Sequence, residues 1–253
     1  MAKLTLFTMP PSHFCEKARW AIDLLARTYR EERHAPIFHR SALKKIGAGP
    51  TVPALVLENN KVLRESKEIM RWVDDQLSNE NKIFPTDAVQ GPLVQDFCDR
   101  CDRDLAHHVV RFFYRFLPRE QFFRLSTEGV DHEEIKKFRW LAAPTRFFFN
   151  QRLKINNDNF EDAIRQIDKF YDAVDALLSD GRRYLFCDRP TAADLTFCSL
   201  AANTVLVPEF GGSKLMFDEA PTEMRLEVER WRKTRVGTYI QAFYKRFRKW
   251  QIP

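Results

Sequence analysis

The alternation of apolar and polar positions opens with Lys3-Leu-Thr-Leu-Phe-Thr8, closed by Met9-Pro10-Pro11, and predicts a strand. From Ser12 to Arg30 the apolar residues Phe14, Ala18, Ala21, Ile22 and Leu25 recur at helical spacing. Arg33 to Phe38 reads as a second short strand, and Ser41 to Ile46 as a brief helix stopped by Gly47. Thr51-Val-Pro-Ala-Leu-Val-Leu57 is a third strand. Asn59-Asn60 is a turn signal, and Lys61 to Arg64 makes a hairpin partner. Ser66 to Leu77 is a helix with Ile69, Trp72, Val73 and Leu77 along one side.

The predicted order is therefore β-α-β-α-β-β-α, and its first βαβ unit implies parallel strands joined by a right-handed crossover. The polar, proline-bearing run around residues 79–87 reads as a linker, and the chain beyond it is helical in period or loop. The fold class expected is a small α/β domain over residues 1–78 and an all-helical domain over 88–253. No internal repeat or low-complexity block interrupts either.

Composition narrows the function classes. Hydrophobic residues at 44% and charged residues at 30% suit a chain that buries a core. No run approaches the ~20 apolar residues of a membrane helix. The first residues read as the start of a strand rather than a signal peptide, so a cytoplasmic protein is expected. Five cysteines, an odd number at wide spacings, read as free thiols. The net charge of +6 hints at nucleic acid, but eight Lys/Arg and no Asp/Glu lie from Arg230 onward. The rest of the chain therefore carries −2 (6 − 8). The basicity belongs to a tail rather than to a groove, and no nucleic-acid partner is expected.

Three patterns in the first domain carry chemistry. Ser12-His-Phe-Cys15 falls at the junction of the first strand and helix, where a hydroxyl caps the helix. Free N–H groups and the helix dipole there favour an anion such as a thiolate. Val52-Pro53 opens a strand, and a proline there can be cis in a tight turn, presenting the Val52 backbone to an extended peptide. Glu65-Ser66 heads the third helix. Ser66 is read as the N-cap, whose hydroxyl and neighbouring N–H groups suit a carboxylate, while Glu65 suits an amino group. An α-amino acid end, an extended middle and a thiol describe glutathione.

In order and spacing these motifs resemble the glutathione transferase superfamily, nearest its serine-type, theta- and zeta-like branch. The resemblance covers nearly the whole chain and implies a thioredoxin-like first domain and a helical second one. It implies a cytoplasmic detoxification enzyme, commonly a homodimer, needing no metal or cofactor beyond glutathione as co-substrate. Ser12 would hold the glutathione thiolate for attack on a hydrophobic electrophile or a peroxide. Val52 would bind the cysteinyl backbone, with Pro53 cis, and Glu65 and Ser66 the γ-glutamyl end. The glycine carboxylate needs a cation from His39, Arg40, Lys44 or Lys45, with His39 favoured. In the second domain Pro190-Thr191-Ala-Ala-Asp194 resembles the family's capping motif at the start of a buried helix.

Other residues have plainer readings. Thr51 stands where many members carry a lysine before the Val-Pro pair, which favours a non-catalytic glutathione or hydrophobic-ligand binding protein as one alternative. A second alternative is a thiol oxidoreductase using Cys15, although cysteine-type relatives place their reactive cysteine at the Ser12 position. Cys98-Asp-Arg-Cys101 lacks further zinc ligands and is read as incidental. The aromatics between His107 and Asn157 are read as core or interface first and as a co-substrate pocket second. Tyr239, Ile240, Phe243, Phe247 and Trp250 form one face of a basic amphipathic helix expected to dock on its own domain.

Overall fold

In the computed structural model residues 4–248 are described, Asn157 and Asp158 by their backbone only. The chain divides into two units. The first comprises Met1–Leu77, Pro118–Phe149 and Gly211–Lys214, and the second Ser78–Leu117, Asn150–Phe210 and Leu215–Pro253.

The first unit is built on a four-stranded sheet in the order β2-β1-β3-β4. Strand β1 (Thr5–Thr8) pairs in parallel with β2 (Arg30–Arg33) and antiparallel with β3 (Ala54–Val56), which pairs antiparallel with β4 (Val62–Leu63). Helix α1 (His13–Asp23) makes the crossover between the parallel strands, α2 (Phe38–Lys45) follows β2, and α3 (Ser66–Gln76) follows β4. This is the expected thioredoxin-like order. The pleat sends Phe7 to one face, where it packs with Leu43 of α2 and Ala54. Leu6 points to the opposite face and is fully buried, as are Ala18, Ile22, Ile69 and Val73 of α1 and α3. Helix α2 ends as its glycine predicts: Gly47 adopts φ +70°, and the Ala48 N–H returns to the Leu43 carbonyl at 2.9 Å.

Several boundaries differ from expectation: α2 begins at Phe38 rather than Ser41, and β3 is Ala54–Val56 rather than Thr51–Leu57. Helix α1 stops at Asp23 rather than near Arg30, because the chain turns back through Ala26 at φ +50°. The second strand is Arg30–Arg33 rather than Arg33–Phe38, with Leu6 opposite Glu31 and Thr8 opposite Arg33. Pro36 has no N–H to give a ladder, whereas the charged stretch Arg-Glu-Glu-Arg does. As a sheet edge it can carry charge, and Glu31 is compensated by Arg19 and Arg33.

Helices α6 (Arg119–Thr127) and α7 (His132–Arg152) supply most of the aromatic stretch, and through residue 149 they belong to the first unit. Phe123 stacks on Phe138 at 6.0 Å, and Phe38 meets Phe138 edge-on at 6.5 Å. Glu134 fastens this layer, accepting the Ala35 N–H at 2.6 Å and facing His34 Nδ1 at 2.9 Å. Phe112, Phe113, Phe122 and Phe138 are core, as their helical spacing predicts, while Trp140, Phe147 and Phe148 stand exposed.

The second unit is helical. Helix α4 (Gln90–Arg100) runs through a π-helical turn, Cys101–Leu105, into α5 (Ala106–Phe116). Then come α8 (Asn157–Leu178), α9 (Ala192–Val205), α10 (Thr222–Arg232) and α11 (Arg235–Phe247). Every residue of α9 is buried, and α4, α5, α10 and α11 all pack against it. A helix apolar on all sides belongs at the centre of a bundle. The predicted capping box is present: the Thr191 N–H and hydroxyl donate to Asp194 Oδ2 at 2.7 and 2.8 Å. The basic tail docks on its own unit through Val236, Ile240, Phe243 and Tyr244, while Trp250 lies outside the described residues. Cys98 and Cys101 are buried free thiols, and no cluster of three or more metal-ligating side chains occurs among the described residues. None of the described helices is long and apolar enough to cross a membrane.

Candidate functional site

The strand register brings the three sequence motifs to one end of the sheet. Phe7, near the end of β1, lies opposite Ala54, the first residue of β3, so Val52-Pro53 sits beside the exit of β1 toward Ser12. Leu63, the last residue of β4, lies opposite Leu55, so the start of α3 at Glu65-Ser66 leaves from the same end. Thr8 opposite Arg33 places the departure of β2 toward α2 there as well. Helix N-termini at the carboxyl ends of strands are where α/β sheets bind ligands.

Ser12 caps α1 as expected, at φ −75° and ψ 122°, with its Oγ accepting the Cys15 N–H at 3.3 Å. That contact uses an acceptor lone pair and leaves the hydroxyl proton to donate. The Val52-Pro53 bond is cis, as the motif suggested. At α3 the N-cap is Glu65, not Ser66: Glu65 has extended dihedrals and its carbonyl accepts the Ile69 N–H at 2.9 Å. Ser66 is the first helical residue, 5% exposed, and its hydroxyl makes no hydrogen bond among the described residues. Glu65 makes no side-chain capping bond and stands exposed.

His39 lies on α2 and is only 8% exposed. Burial first, then the neighbouring Arg40, lower its pKa to about 4. At neutral pH it is an uncharged donor or acceptor, not the cation that the glycine carboxylate calls for. Arg40, Lys44 and Lys45 are exposed on the same helix and keep that capacity. Thr51 is exposed beside Val52.

Cys15 is fully buried. Burial pushes its thiol up, against the smaller lowering by Arg19 and by hydrogen bonds from Ser12 and Met9, the latter's N–H lying 3.5 Å from Sγ. A nucleophilic cysteine needs a thiolate and access, and Cys15 has neither.

Beneath this end of the sheet lies a charged network that no motif announced. Arg19 of α1, 1% exposed, reaches Glu31 Oε1 of β2 with Nε and Nη2, each at 2.7 Å. Thr8 Oγ1 donates to the same oxygen at 2.7 Å, and Arg33 Nη2 reaches Oε2 at 3.1 Å. Glu16, wholly buried, lies 3.7 Å from Arg19 and accepts the Gly211 N–H at 3.0 Å. Burial alone would raise Glu31, but Arg19, then Arg33 and the Thr8 hydroxyl, hold it at about 2. The network locks the first strand and helix together behind Ser12. The one available signal was four charged residues, Glu16, Lys17, Arg19 and Glu31, in the elements nearest the core.

Comparison with known proteins bears on the fold. Residues 6–81 match the family model of the glutathione S-transferase N-terminal domain. Over the whole length the chain is similar to solved glutathione transferases. Against glutathione transferase GSTFuA3 from Phanerochaete chrysosporium the TM-score is 0.64 at 14% identity, with 100% of both chains covered. Against the beta-etherase LigF from Sphingobium sp. strain SYK-6 it is 0.62 at 17% identity, covering 94% of this chain and 98% of that one. A glutathione transferase homologue from Sulfitobacter, solved with bound glutathione, gives 0.53 at 14% identity, covering 98% of this chain and 100% of that one. The chain thus has the glutathione S-transferase fold: a thioredoxin-like sheet followed by helices. No curated protein matches its sequence.

Proposed function

We propose that this chain is a glutathione transferase of the serine type, with Ser12 holding the thiolate of glutathione. The observation that carries this reading is the convergence of the Ser12 cap, Val52-Pro53 and Glu65-Ser66 at one end of the sheet. The match of residues 6–81 to the glutathione S-transferase N-terminal domain supports it. The Ser12 hydroxyl keeps its proton to donate, and the N-terminus of α1 adds its dipole. The γ-glutamyl carboxylate is taken by Ser66 and the first amides of α3, and its ammonium by Glu65. The cysteinyl backbone pairs with Val52. His39 stays a neutral donor at the glycine end, where Arg40, Lys44 or Lys45 supplies the charge.

The thiol proton leaves to solvent. The sulfur then attacks an electrophilic carbon, forming a C–S bond as the leaving group departs with its electron pair. The rate comes from lowering the thiol pKa and from holding the two reactants together. The same reading includes the homodimer and the hydrophobic co-substrate that the resemblance implies.

Calorimetry of glutathione binding, followed by thiolate absorbance, tests it. The wild type is expected to bind and to depress the bound thiol's pKa. Ser12→Ala is expected to bind but lose about one to two pH units of that depression, since a hydrogen bond to a charged group contributes ~1.5–3 kcal/mol. A wild-type protein that does not bind glutathione sinks the proposal.

A further inference from the structure

The second unit holds a cavity of about 400 Å³ beside the π-helical turn, lined by Arg100, Arg103, His107, His108, Lys169 and Phe170 among others. All of these residues lie outside the unit that carries Ser12. Three independent features mark the cavity as a site.

Its charge is unbalanced. Of the three cations, only Arg103 has an acidic partner: its Nε and Nη2 fork onto Asp104 at 2.9 Å each. Arg100 and Lys169 form no ion pair among the described residues, and Arg100 is held over the Phe170 ring at 5.9 Å. Asp104 is the sole acidic lining group among the described residues, so the wall carries an excess of two positive charges (3 − 1).

Its backbone is irregular. Wide turns of this kind inside α-helices concentrate at functional sites. Successive residues of an α-helix point about 100° apart. Just beyond this turn, however, His107 and His108 both line the one cavity, with ring centroids 3.8 Å apart.

Its polar groups are unfinished. His108 is 7% exposed, and its Nδ1 is buried with no hydrogen-bond partner. A buried polar atom left without a partner is costly, and a bound acceptor would relieve that cost.

We infer that this cavity binds a small organic dianion of the phosphate-monoester kind, gripped by Arg100 and Lys169, donated to by His108, and flanked by Phe170. Two cations lacking carboxylate partners match a charge of −2, and a guanidinium forks onto paired phosphate oxygens. Phe170 and Ala173 supply an apolar edge of the cavity for the organic group, and the volume suits a small ligand.

The charged groups facing the histidines are Asp104 and Arg111 on the α4–α5 side and Asp162 on α8, while the backbone of Arg103 hydrogen-bonds His107. Burial first, then Arg111, lowers His107. Burial first, then His107 and Arg111, brings His108 to about 4. Both rings are therefore neutral near pH 7, and an anion seated beside His108 raises its pKa.

The test uses the full chain, with phenyl phosphate and inorganic phosphate as probes at constant ionic strength, by calorimetry and by NMR of the histidine Cε1 protons. Saturable binding of both probes is expected, tighter for phenyl phosphate, with the His108 resonance titrating at higher pH when the site is filled. Arg100→Ala and Lys169→Ala, confirmed as folded by their melting, should each weaken phenyl phosphate about tenfold, the equivalent of one lost charged hydrogen bond at ~1.4 kcal/mol. No saturation by about 10 mM, or affinity unchanged in both variants, overturns the inference.

Discussion

Arg19→Met is expected to destabilise the protein by about 3–5 kcal/mol, because it strips the buried counter-charge from two carboxylates while leaving both in place. Glu31 loses both of its 2.7 Å contacts to the guanidinium, and wholly buried Glu16 loses the positive charge 3.7 Å away. Arg33 still reaches Glu31 Oε2 at 3.1 Å, which keeps the loss from being larger. In thermal melts of a chain this size the change corresponds to roughly 10 °C.

The pH dependence separates this cause from simple loss of packing. In the wild type Glu31 titrates at about 2 when folded, against an ordinary carboxylate value of 4.5. Its contribution is fully present above the unfolded value and is lost as pH falls from about 4.5 through 2. Without Arg19, only Arg33 and the Thr8 hydroxyl oppose the effect of burial, so the folded pKa of Glu31 rises toward its unfolded value. Arg19→Met should therefore lose less stability than the wild type on acidification through this window, and Arg19→Met/Glu31→Gln should recover part of the loss at pH 7. A variant that melts within about 2 °C of the wild type would show that the network contributes no net stability.

The sequence made some parts of this architecture legible and hid others, for physical reasons. The first strand, the hairpin and the third helix were readable because period-2 and period-3.6 patterns are written in apolar residues. The second strand was misplaced because its side chains are charged: Arg30–Arg33 shows no apolar alternation, and the partners Arg19, Arg33 and Thr8 make Glu31 tolerable inside. The cap at Ser12 was legible as a local rule of helix starts. The cap at α3 was displaced by one residue because Ser66 is a better cap by type, yet Glu65 holds the extended dihedrals.

His39 was legible as a position but not as a charge state. The resemblance called for a cation there, and only the packing of α2 shows that His39 is buried and neutral. The π-helical turn was hidden for a similar reason. Cys98-Asp-Arg-Cys101 was read as incidental for want of further zinc ligands, while its structural meaning lay in the widened backbone at its end.

Asp194→Ala is expected to cost as much as the loss of Arg19, about 3–5 kcal/mol, because one wholly buried carboxylate ties three segments of the second unit. Its Oδ2 accepts the Thr191 N–H and hydroxyl at the start of α9, and its Oδ1 accepts the Leu185 N–H at 2.8 Å. The Tyr239 hydroxyl of α11 donates to Oδ1 as well. Alanine leaves the Thr191 and Leu185 donors buried without this acceptor, at the head of a helix that is buried along its whole length.

Burial raises the Asp194 pKa, partly opposed by the Tyr239 hydroxyl and the backbone amides. A carboxylate with a raised folded pKa favours folding as it protonates, so its charged form is a liability near neutrality, opposite in sign to Glu31. Its hydrogen bonds must therefore outweigh its charge. Asp194→Asn, which removes the charge and keeps one acceptor oxygen, should cost clearly less than alanine. Tyr239→Phe should cost about 1 kcal/mol, the ordinary net value of one hydrogen bond. Urea unfolding of the three variants supplies the comparison. Equal losses for asparagine and alanine would mean that the charge holds α9 in place, and the hydrogen-bond account of this cap would fail.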